Sequence, residues 1–118
     1  MGRLSTHVLD VVGGRPAVGV EIDFDRLGGD GGWVRLKQAL TNADGRTDEP
    51  LLAGAAFQTG TYLLTFHMAA YFRRTGAPVS DPPFLDAVPI RFTLAEQGGH
   101  YHVPLLASPW SYSTYRGS

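Results

Sequence analysis

Residues 4–12 form the run LSTHVLDVV, which is rich in β-branched and aliphatic side chains. This composition predicts a β-strand, and the Gly13-Gly14-Arg15-Pro16 sequence that follows predicts the turn that ends it. Both faces of the predicted strand carry apolar side chains, Leu4 and Val8 on one face and Leu9 on the other. A strand with one solvated face would instead alternate between apolar and polar residues. We therefore expect something to cover the outer face, most simply a second copy of the chain.

The rest of the chain repeats this pattern of short apolar segments separated by glycine and proline. Further strands are predicted at 19–24, 33–41, 51–58, 61–68, 86–96 and 100–107, with a last one in the alternating segment around 110–113. A helix is predicted at 69–74, because two arginines end the segment and Gly76 is placed to cap it. Loops are predicted for the glycine-rich segment 28–32 and for 42–45, with Gly45 in the left-handed position. This spacing predicts an all-β, two-sheet β-sandwich of seven or eight strands with one short α-helix, forming a single domain over residues 1–118.

The composition excludes several classes of protein. The chain has 118 residues, a formal net charge of −1 and no cysteine. The charge gives no attraction to nucleic acid or to an anionic membrane surface, and the lack of cysteine excludes disulfides and thiolate chemistry. No apolar run approaches the roughly 20 residues of a membrane-spanning helix. The first residues lack the apolar core of an export signal, so the expected location is cytoplasmic.

The C-terminal segment, SPWSYSTYRGS over residues 108–118, is dense in aromatic and hydroxyl side chains. Trp110 and Tyr112 alternate with serines, which indicates a strand with one apolar face. Chain ends are usually poorly ordered, but here a strand would lead directly into Arg116, Gly117 and Ser118. A fixed end would bring a guanidinium, a hydroxyl and a carboxylate to one place. This segment is therefore a candidate functional site.

Histidines are candidates for acid–base chemistry, and the chain has four of them. His7 lies within a predicted strand and His67 ends another, and a single histidine in such a place most often has a structural role. His100 and His102 are two residues apart and would point to the same face of a strand, which is compatible with a metal site. Zinc requires a third protein ligand, which the sequence does not identify. Arg46 follows a turn, where an arginine is either solvated or serves as a fixed fork for a carbonyl or an anion.

Three blocks of sequence together resemble one family. They are LSTHVLD at residues 4–10, NADGRT at 42–47, and a C-terminal block containing YHVPLL at 101–106 and STYRGS at 113–118. The blocks are similar, in the same order, to those of the 5-hydroxyisourate hydrolases, the transthyretin-related enzymes of urate breakdown. The resemblance spans essentially the whole chain. The terminal Tyr-Arg-Gly-Ser is its specific part, because it separates the hydrolases from transthyretin, a hormone carrier.

The resemblance implies a transthyretin-like sandwich, a homotetramer built as a dimer of dimers, and active sites in the channel where the dimers meet. It implies hydrolysis of 5-hydroxyisourate to 2-oxo-4-hydroxy-4-carboxy-5-ureidoimidazoline in purine degradation, without a cofactor or a metal. The catalytic residues that it implies are His7, Arg46, His102 and Ser118. The expected substrate-binding residues are His7, Arg46, Tyr115, Arg116 and Ser118.

Two other functions remain open from the sequence. A similar sandwich could bind a small aromatic ligand without converting it, as transthyretin does. Alternatively, His100 and His102 could belong to a metal-dependent cyclic amidohydrolase, which a chelator would inactivate. The sequence does not determine which of His7 and His102 is the general base and which is the general acid.

Overall fold

The computed structural model describes residues 2–117. Nine strands and one α-helix follow one another along this part of the chain, with a 3₁₀ turn at Gly54–Ala56. The strands are β1 (Arg3–Asp10), β2 (Arg15–Pro16), β3 (Glu21–Leu27), β4 (Trp33–Leu40), β5 (Leu52–Ala53), β6 (Gly60–His67), β7 (Ala87–Leu94), β8 (His100–Ala107) and β9 (Tyr112–Thr114), and the helix α1 (Met68–Thr75) lies between β6 and β7. No helix within residues 2–117 is long and apolar enough to cross a membrane.

The strands form two sheets. The first has the order β2-β1-β8-β9, with β5 also paired to β1, and the second has the order β4-β3-β6-β7. The β1 and β8 strands run parallel although they lie at opposite ends of the chain, and all other pairs are antiparallel. The two-sheet sandwich with one short helix confirms the fold class predicted from the sequence.

The core lies between the sheets and is filled by the inward-facing residues of each strand. Phe24 of β3 stacks on Tyr62 of β6 with ring centroids 5.4 Å apart, and Phe72 of α1 is buried against the same core. Each fully buried side chain of this size contributes roughly 1.5–3 kcal/mol through the removal of apolar surface from water. This burial fixes the positions of the strands and therefore of the side chains on their outer faces.

The β1 strand ends at Asp10, two residues earlier than the sequence predicts. The buried Asp10 carboxylate accepts hydrogen bonds from the backbone N–H groups of Val12 (2.9 Å) and Gly13 (2.8 Å), and from the hydroxyl of Tyr71 (2.8 Å). These bonds favour a turn over a continued strand, so Val11 and Val12 are exposed in the turn. The inner face of β1 is fully buried, whereas its outer face is half-buried or exposed.

The predicted strand at 51–58 is also shorter in the structure. Only Leu52–Ala53 pairs with β1, because Gly54 adopts a left-handed conformation (φ +60°) that ends the ladder and begins the 3₁₀ turn. The turn directs Phe57 into the core, where its side chain is buried. The predicted helix is confirmed: α1 ends at Thr75, and Gly76 caps it in the left-handed conformation.

Candidate active site

The parallel pairing of β1 with β8 places two of the predicted site histidines side by side. His7 lies on the outer face of β1 and His102 on the outer face of β8, where the register pairs His102 with Ser5. The two imidazole rings have centroids 6.5 Å apart and planes inclined by 39°. The first and last blocks of the sequence therefore meet on one face of one sheet.

His102 is held by Ser5 and is electrostatically biased toward its neutral form. The hydroxyl oxygen of Ser5 lies 2.8 Å from Nδ1 of His102, which leaves Nε2 as the other ring nitrogen for chemistry. Burial lowers the pKa of His102, and the nearby charge of Arg46 and the ring of His7 lower it further, while a hydrogen bond with Ser5 acts in the opposite direction. The imidazole of His102 is thus available as a neutral base or hydrogen-bond acceptor at neutral pH.

His7 is held by a backbone carbonyl instead. Its Nε2 lies 2.8 Å from the carbonyl oxygen of Asp44. A carbonyl only accepts hydrogen bonds, so Nε2 of His7 carries the proton, and in the neutral ring Nδ1 carries the lone pair. The two histidines therefore use opposite ring nitrogens for support, Nε2 in His7 and Nδ1 in His102.

The turn at residues 42–46 supplies that carbonyl. The side-chain oxygen of Asn42 accepts hydrogen bonds from the backbone N–H groups of Asp44 (2.9 Å) and Arg46 (3.2 Å). Gly45 has a φ of +75°, as predicted, and a Cβ atom there would lie 2.5 Å from the carbonyl oxygen of Val8. The backbone N–H of Val8 donates a hydrogen bond of 2.8 Å to the carbonyl oxygen of Gly45. Only glycine therefore allows the turn to lie directly against β1.

This contact brings Arg46 to His7. The two residues form an isolated antiparallel bridge, so the turn leads the chain back onto β1 and not into a further strand of the β4 sheet. The side chain of Arg46 is exposed and lines a cavity of about 370 Å³. The other residues that line this cavity are Arg3, Ser5, His100, Tyr101 and His102. A polar cavity of this size is within the range of small-molecule sites.

The C-terminal segment reaches His102 from the other side. The backbone N–H of Gly117 donates to the carbonyl oxygen of His102 at 2.7 Å. A Cβ atom on Gly117 would lie only 2.8 Å from Cδ2 of the His102 ring, so the close approach requires glycine. The predicted catalytic residue Ser118 lies outside the residues that the structure describes. The strand predicted around 110–113 begins later, at Tyr112, because Ser108 forms a hydrogen-bonded turn with Trp110 and Ser111.

Tyr115 and Arg116, two predicted substrate-binding residues, line a different cavity. It has a volume of about 250 Å³ and lies at the side of the sandwich where β7 and β9 end the two sheets. The guanidinium carbon of Arg116 lies 4.0 Å from the centre of the Tyr101 ring, and Nη2 donates a 3.5 Å hydrogen bond to the carbonyl oxygen of His100. Within one chain these contacts fasten the segment to β8. A role for Tyr115 and Arg116 in substrate binding stays a prediction.

The remaining histidines are placed apart from a metal-binding arrangement. His100 is exposed on the same face as His102, but residues 2–117 contain no group of three histidine, aspartate or glutamate side chains that could hold a metal ion. His67 lies in the other sheet and bonds to the Asp23 carboxylate at 2.8 Å. Hydrogen bonds from Gln38 and His67 lower the pKa of Asp23.

Three groups of the site were not predicted: the side chains of Arg3 and Ser5, which line the cavity, and the carbonyl group of Asp44, which holds His7. The side chains could have been found by alternation, because residues 3, 5 and 7 share one face of a strand. The carbonyl could not, because the contact joins residues far apart in the chain and depends on how the turn docks.

A sandwich with this strand order, and with a polar cavity on the outer face of one sheet, defines the transthyretin-like class of β-sandwich proteins. The chain belongs to the HIUase/Transthyretin family, whose model matches residues 4–117. This confirms the family resemblance found in the sequence, since HIUase denotes 5-hydroxyisourate hydrolase.

Individual relatives agree with this assignment. The chain is 56% identical to 5-hydroxyisourate hydrolase 2 of Rhizobium meliloti over 99% of its own length and 97% of that protein. Among solved structures, (S)-allantoin synthase superposes with a TM-score of 0.94 at 44% identity, over 99% of this chain but only 44% of that longer one. Sea bream transthyretin in complex with thyroxine superposes with a TM-score of 0.87 at 31% identity, over 98% of this chain and 94% of that one.

Proposed function

We propose that this protein hydrolyses 5-hydroxyisourate to 2-oxo-4-hydroxy-4-carboxy-5-ureidoimidazoline. The observation that carries the proposal is the convergence of His7, Arg46 and His102 on one polar side of a sheet, although they come from three distant parts of the chain. The name of the Rhizobium meliloti relative, 56% identical over nearly the full length, supports the same substrate.

The reaction opens a six-membered ring at an amide-like carbonyl group. It requires activation of a water molecule, stabilisation of an oxyanion and protonation of the leaving nitrogen. Two imidazoles and a guanidinium supply these functions. The lone pair on Nδ1 of His7 and Nε2 of His102, which has no hydrogen-bond partner among residues 2–117, provide two positions for proton transfer. Both rings are held by hydrogen bonds to their other nitrogens.

Arg46 is proposed to bind the carbonyl edge of the substrate and to stabilise the charge that develops there. A guanidinium presents fixed donors to such an oxygen and remains charged at every relevant pH. Ser118 is proposed to position substrate or water through its hydroxyl or carboxylate. The support for this is that its neighbour Gly117 is bonded to the backbone of His102.

The proposed assembly is a homotetramer formed as a dimer of dimers. The β7 and β9 strands are the terminal strands of the two sheets and border one cavity. Each has an edge that no strand of residues 2–117 pairs with and that a second chain could extend. Trp110, Tyr112 and Tyr115 are exposed nearby, 57%, 43% and 60% respectively, which is unusual for large aromatic side chains. Light scattering at assay concentration tests this, and a fully active monomer would contradict it.

The competing function is non-catalytic ligand binding, which the likeness to thyroxine-bound sea bream transthyretin makes specific. The two functions are separated by generating 5-hydroxyisourate in situ from urate and following its absorbance decay with and without the protein. Acceleration that depends on protein concentration supports hydrolysis. A decay rate identical to that of the buffer control, together with saturable binding of thyroxine, would establish a carrier instead.

The cytoplasmic location stays a prediction from the sequence. Cell fractionation with an antibody against the untagged protein tests it, and recovery in a membrane or secreted fraction would contradict it.

A further inference from the structure

Among residues 2–117, those that line the cavity beside His102 include two arginines and no acidic residue. Arg3 and Arg46 both line it, and they also line a smaller neighbouring cavity of about 140 Å³. Asp48 and Glu49 border the smaller of these two cavities but not the larger one. Within residues 2–117 the arginine–carboxylate ion pairs are those of Arg15 and Arg35. The larger cavity therefore has an excess of positive charge that residues 2–117 do not neutralise.

Arg3 has a fixed backbone and a side chain that makes no ion pair within the described part of the chain. It lies in β1 between two partner strands, opposite Ala53 on one side and His100 on the other, and its N–H donates to the carbonyl oxygen of Gly99 at 3.0 Å. Its side chain is exposed on the same face as Ser5, about 7 Å further along the strand. The backbone of Arg3 is thus fixed beside the cavity that its side chain lines. His102 lies opposite Ser5 on the neighbouring strand β8.

The proposed hydrolysis creates a negative charge in this cavity. The oxygen of water bonds to the acyl carbon, the carbon–nitrogen bond breaks, and the nitrogen keeps the electron pair and takes up a proton. The acyl carbon becomes a carboxylic acid, which at neutral pH loses its proton to solvent and leaves a carboxylate. The ring-opened product therefore gains a charged group that the ring does not have at that carbon.

We propose that Arg3 binds this new carboxylate, so that the part of the cavity lined by Arg3 is a carboxylate subsite that holds the ring-opened product. The inference rests on the proposed hydrolysis. The guanidinium suits the role because its planar donors match the two oxygens of a carboxylate, whereas Arg46 lies beside His7 and serves the carbonyl end. Because Arg3 is exposed, its contribution is moderate and weakens as salt concentration rises.

A matched pair of stable ligands tests the subsite. N-carbamoylglycine carries a ureido group and a carboxylate, as the product does, and N-carbamoylglycinamide is its neutral amide. The inhibition constants of both are measured against wild type, Arg3→Gln, Arg3→Lys and Arg73→Gln. Arg73→Gln removes the same charge from an exposed position on α1, so it controls for net charge.

We expect the wild type and Arg73→Gln to prefer the acid over the amide, and Arg3→Gln to bind the acid about tenfold more weakly with no change for the amide. Arg3→Lys should keep part of the preference for the acid, because lysine keeps the positive charge but lacks the paired, coplanar N–H donors of a guanidinium. Equal inhibition by the acid and the amide in the wild type, including no inhibition by either, would overturn the proposal. So would a preference that survives in Arg3→Gln.

The turnover of 5-hydroxyisourate by wild type is measured separately. If that turnover is normal while the inhibition constants contradict the role of Arg3, the subsite alone is wrong. If the wild type shows no turnover, the proposed function fails, and calorimetric titration with the same two ligands still determines whether Arg3 binds a carboxylate.

Discussion

The Nε2 atom of His7 donates a hydrogen bond of 2.8 Å to the backbone carbonyl oxygen of Asp44, and this bond determines which nitrogen of His7 can accept a proton. A backbone carbonyl cannot exchange the roles of donor and acceptor, whereas the Ser5 hydroxyl that contacts His102 can do so. His7 is therefore fixed in one neutral tautomer, and His102 can adopt either.

Replacing either histidine should impair chemistry more than binding. We expect His7→Asn and His102→Asn to lower kcat by about 10²-fold or more, the usual contribution of a positioned general acid or base. His67→Asn is the matched control, because His67 lies in the other sheet and should leave kcat nearly unchanged. Near-normal turnover in His102→Asn would remove His102 from the mechanism.

The turn that holds His7 should be as important as the histidine itself. Asn42→Ala removes the acceptor for the N–H groups of both Asp44 and Arg46, and a shift of about 1 Å in such groups can cost up to ~10²-fold in rate. Asn42→Asp keeps that acceptor and should retain most of the activity. The side-chain amide of Asn42 also donates to Asp48, and Asp48→Ala, which loses only this bond, is the control.

The readout for the turn is the ¹⁵N spectrum of the His7 ring together with kcat. A protonated Nε2 in the wild type that becomes mixed between the two nitrogens in Asn42→Ala would show that the turn sets the tautomer. An unchanged spectrum and an unchanged kcat in that variant would contradict the interpretation.

Burial and the charge of Arg46 together should lower the pH at which His102 gains a proton. Burial and this charge lower the pKa of His102 from its ordinary value of 6.5. The wild-type ring should therefore stay neutral at pH values somewhat below 6.5. Removing the positive charge in Arg46→Gln favours the protonated ring, so the pKa should rise. If the neutral ring is required, kcat/KM falls as pH drops through that pKa, and the fall begins at higher pH in the variant.

NMR titration of the His102 ring measures this shift without relying on the activity of the variant. Arg73→Gln is again the charge control and should leave the titration in place. A His102 pKa that is equal in wild type and Arg46→Gln would contradict the electrostatic coupling between the two residues.

The sequence predicted the sandwich and His7, Arg46 and His102 because these depend on local patterns and on blocks that resemble one family. The predicted length of the first strand was too great, because Val11 and Val12 are good strand formers. In the structure, the backbone N–H groups of Val12 and Gly13 donate to the Asp10 carboxylate, and these bonds stabilise a turn. The roles of Ser5 and of the Asp44 carbonyl depend on the parallel register of β1 with β8 and on the docking of the 42–46 turn. Both are contacts between distant segments, which local propensity does not encode.

Metal removal separates the two hydrolytic mechanisms. If imidazole and guanidinium groups perform the chemistry, exhaustive treatment with a chelator should leave the rate unchanged, and elemental analysis should find no stoichiometric zinc. His100→Ala should then have only a small effect on kcat, since His100 is exposed at the edge of the cavity. Loss of activity on chelation that zinc restores would favour the alternative in which His100 and His102 bind a metal.

The close contact between the C-terminal segment and His102 should be required for full activity. Gly117→Ala places a Cβ atom 2.8 Å from the His102 ring, so either the ring or the segment must move. We expect kcat/KM to fall by at least tenfold while the melting temperature changes little, because the contact lies on the outer face of the sheet and outside the core. Gly29→Ala is the matched control, since a Cβ atom there meets nothing within 4 Å.

Deletion of residues 116–118 should lower kcat/KM at least as much, because it also removes the stacking of Arg116 on Tyr101. Light scattering on each variant distinguishes lost assembly from lost chemistry. Normal kcat/KM in both Gly117→Ala and the deletion variant would show that the C-terminal segment has no part in the reaction.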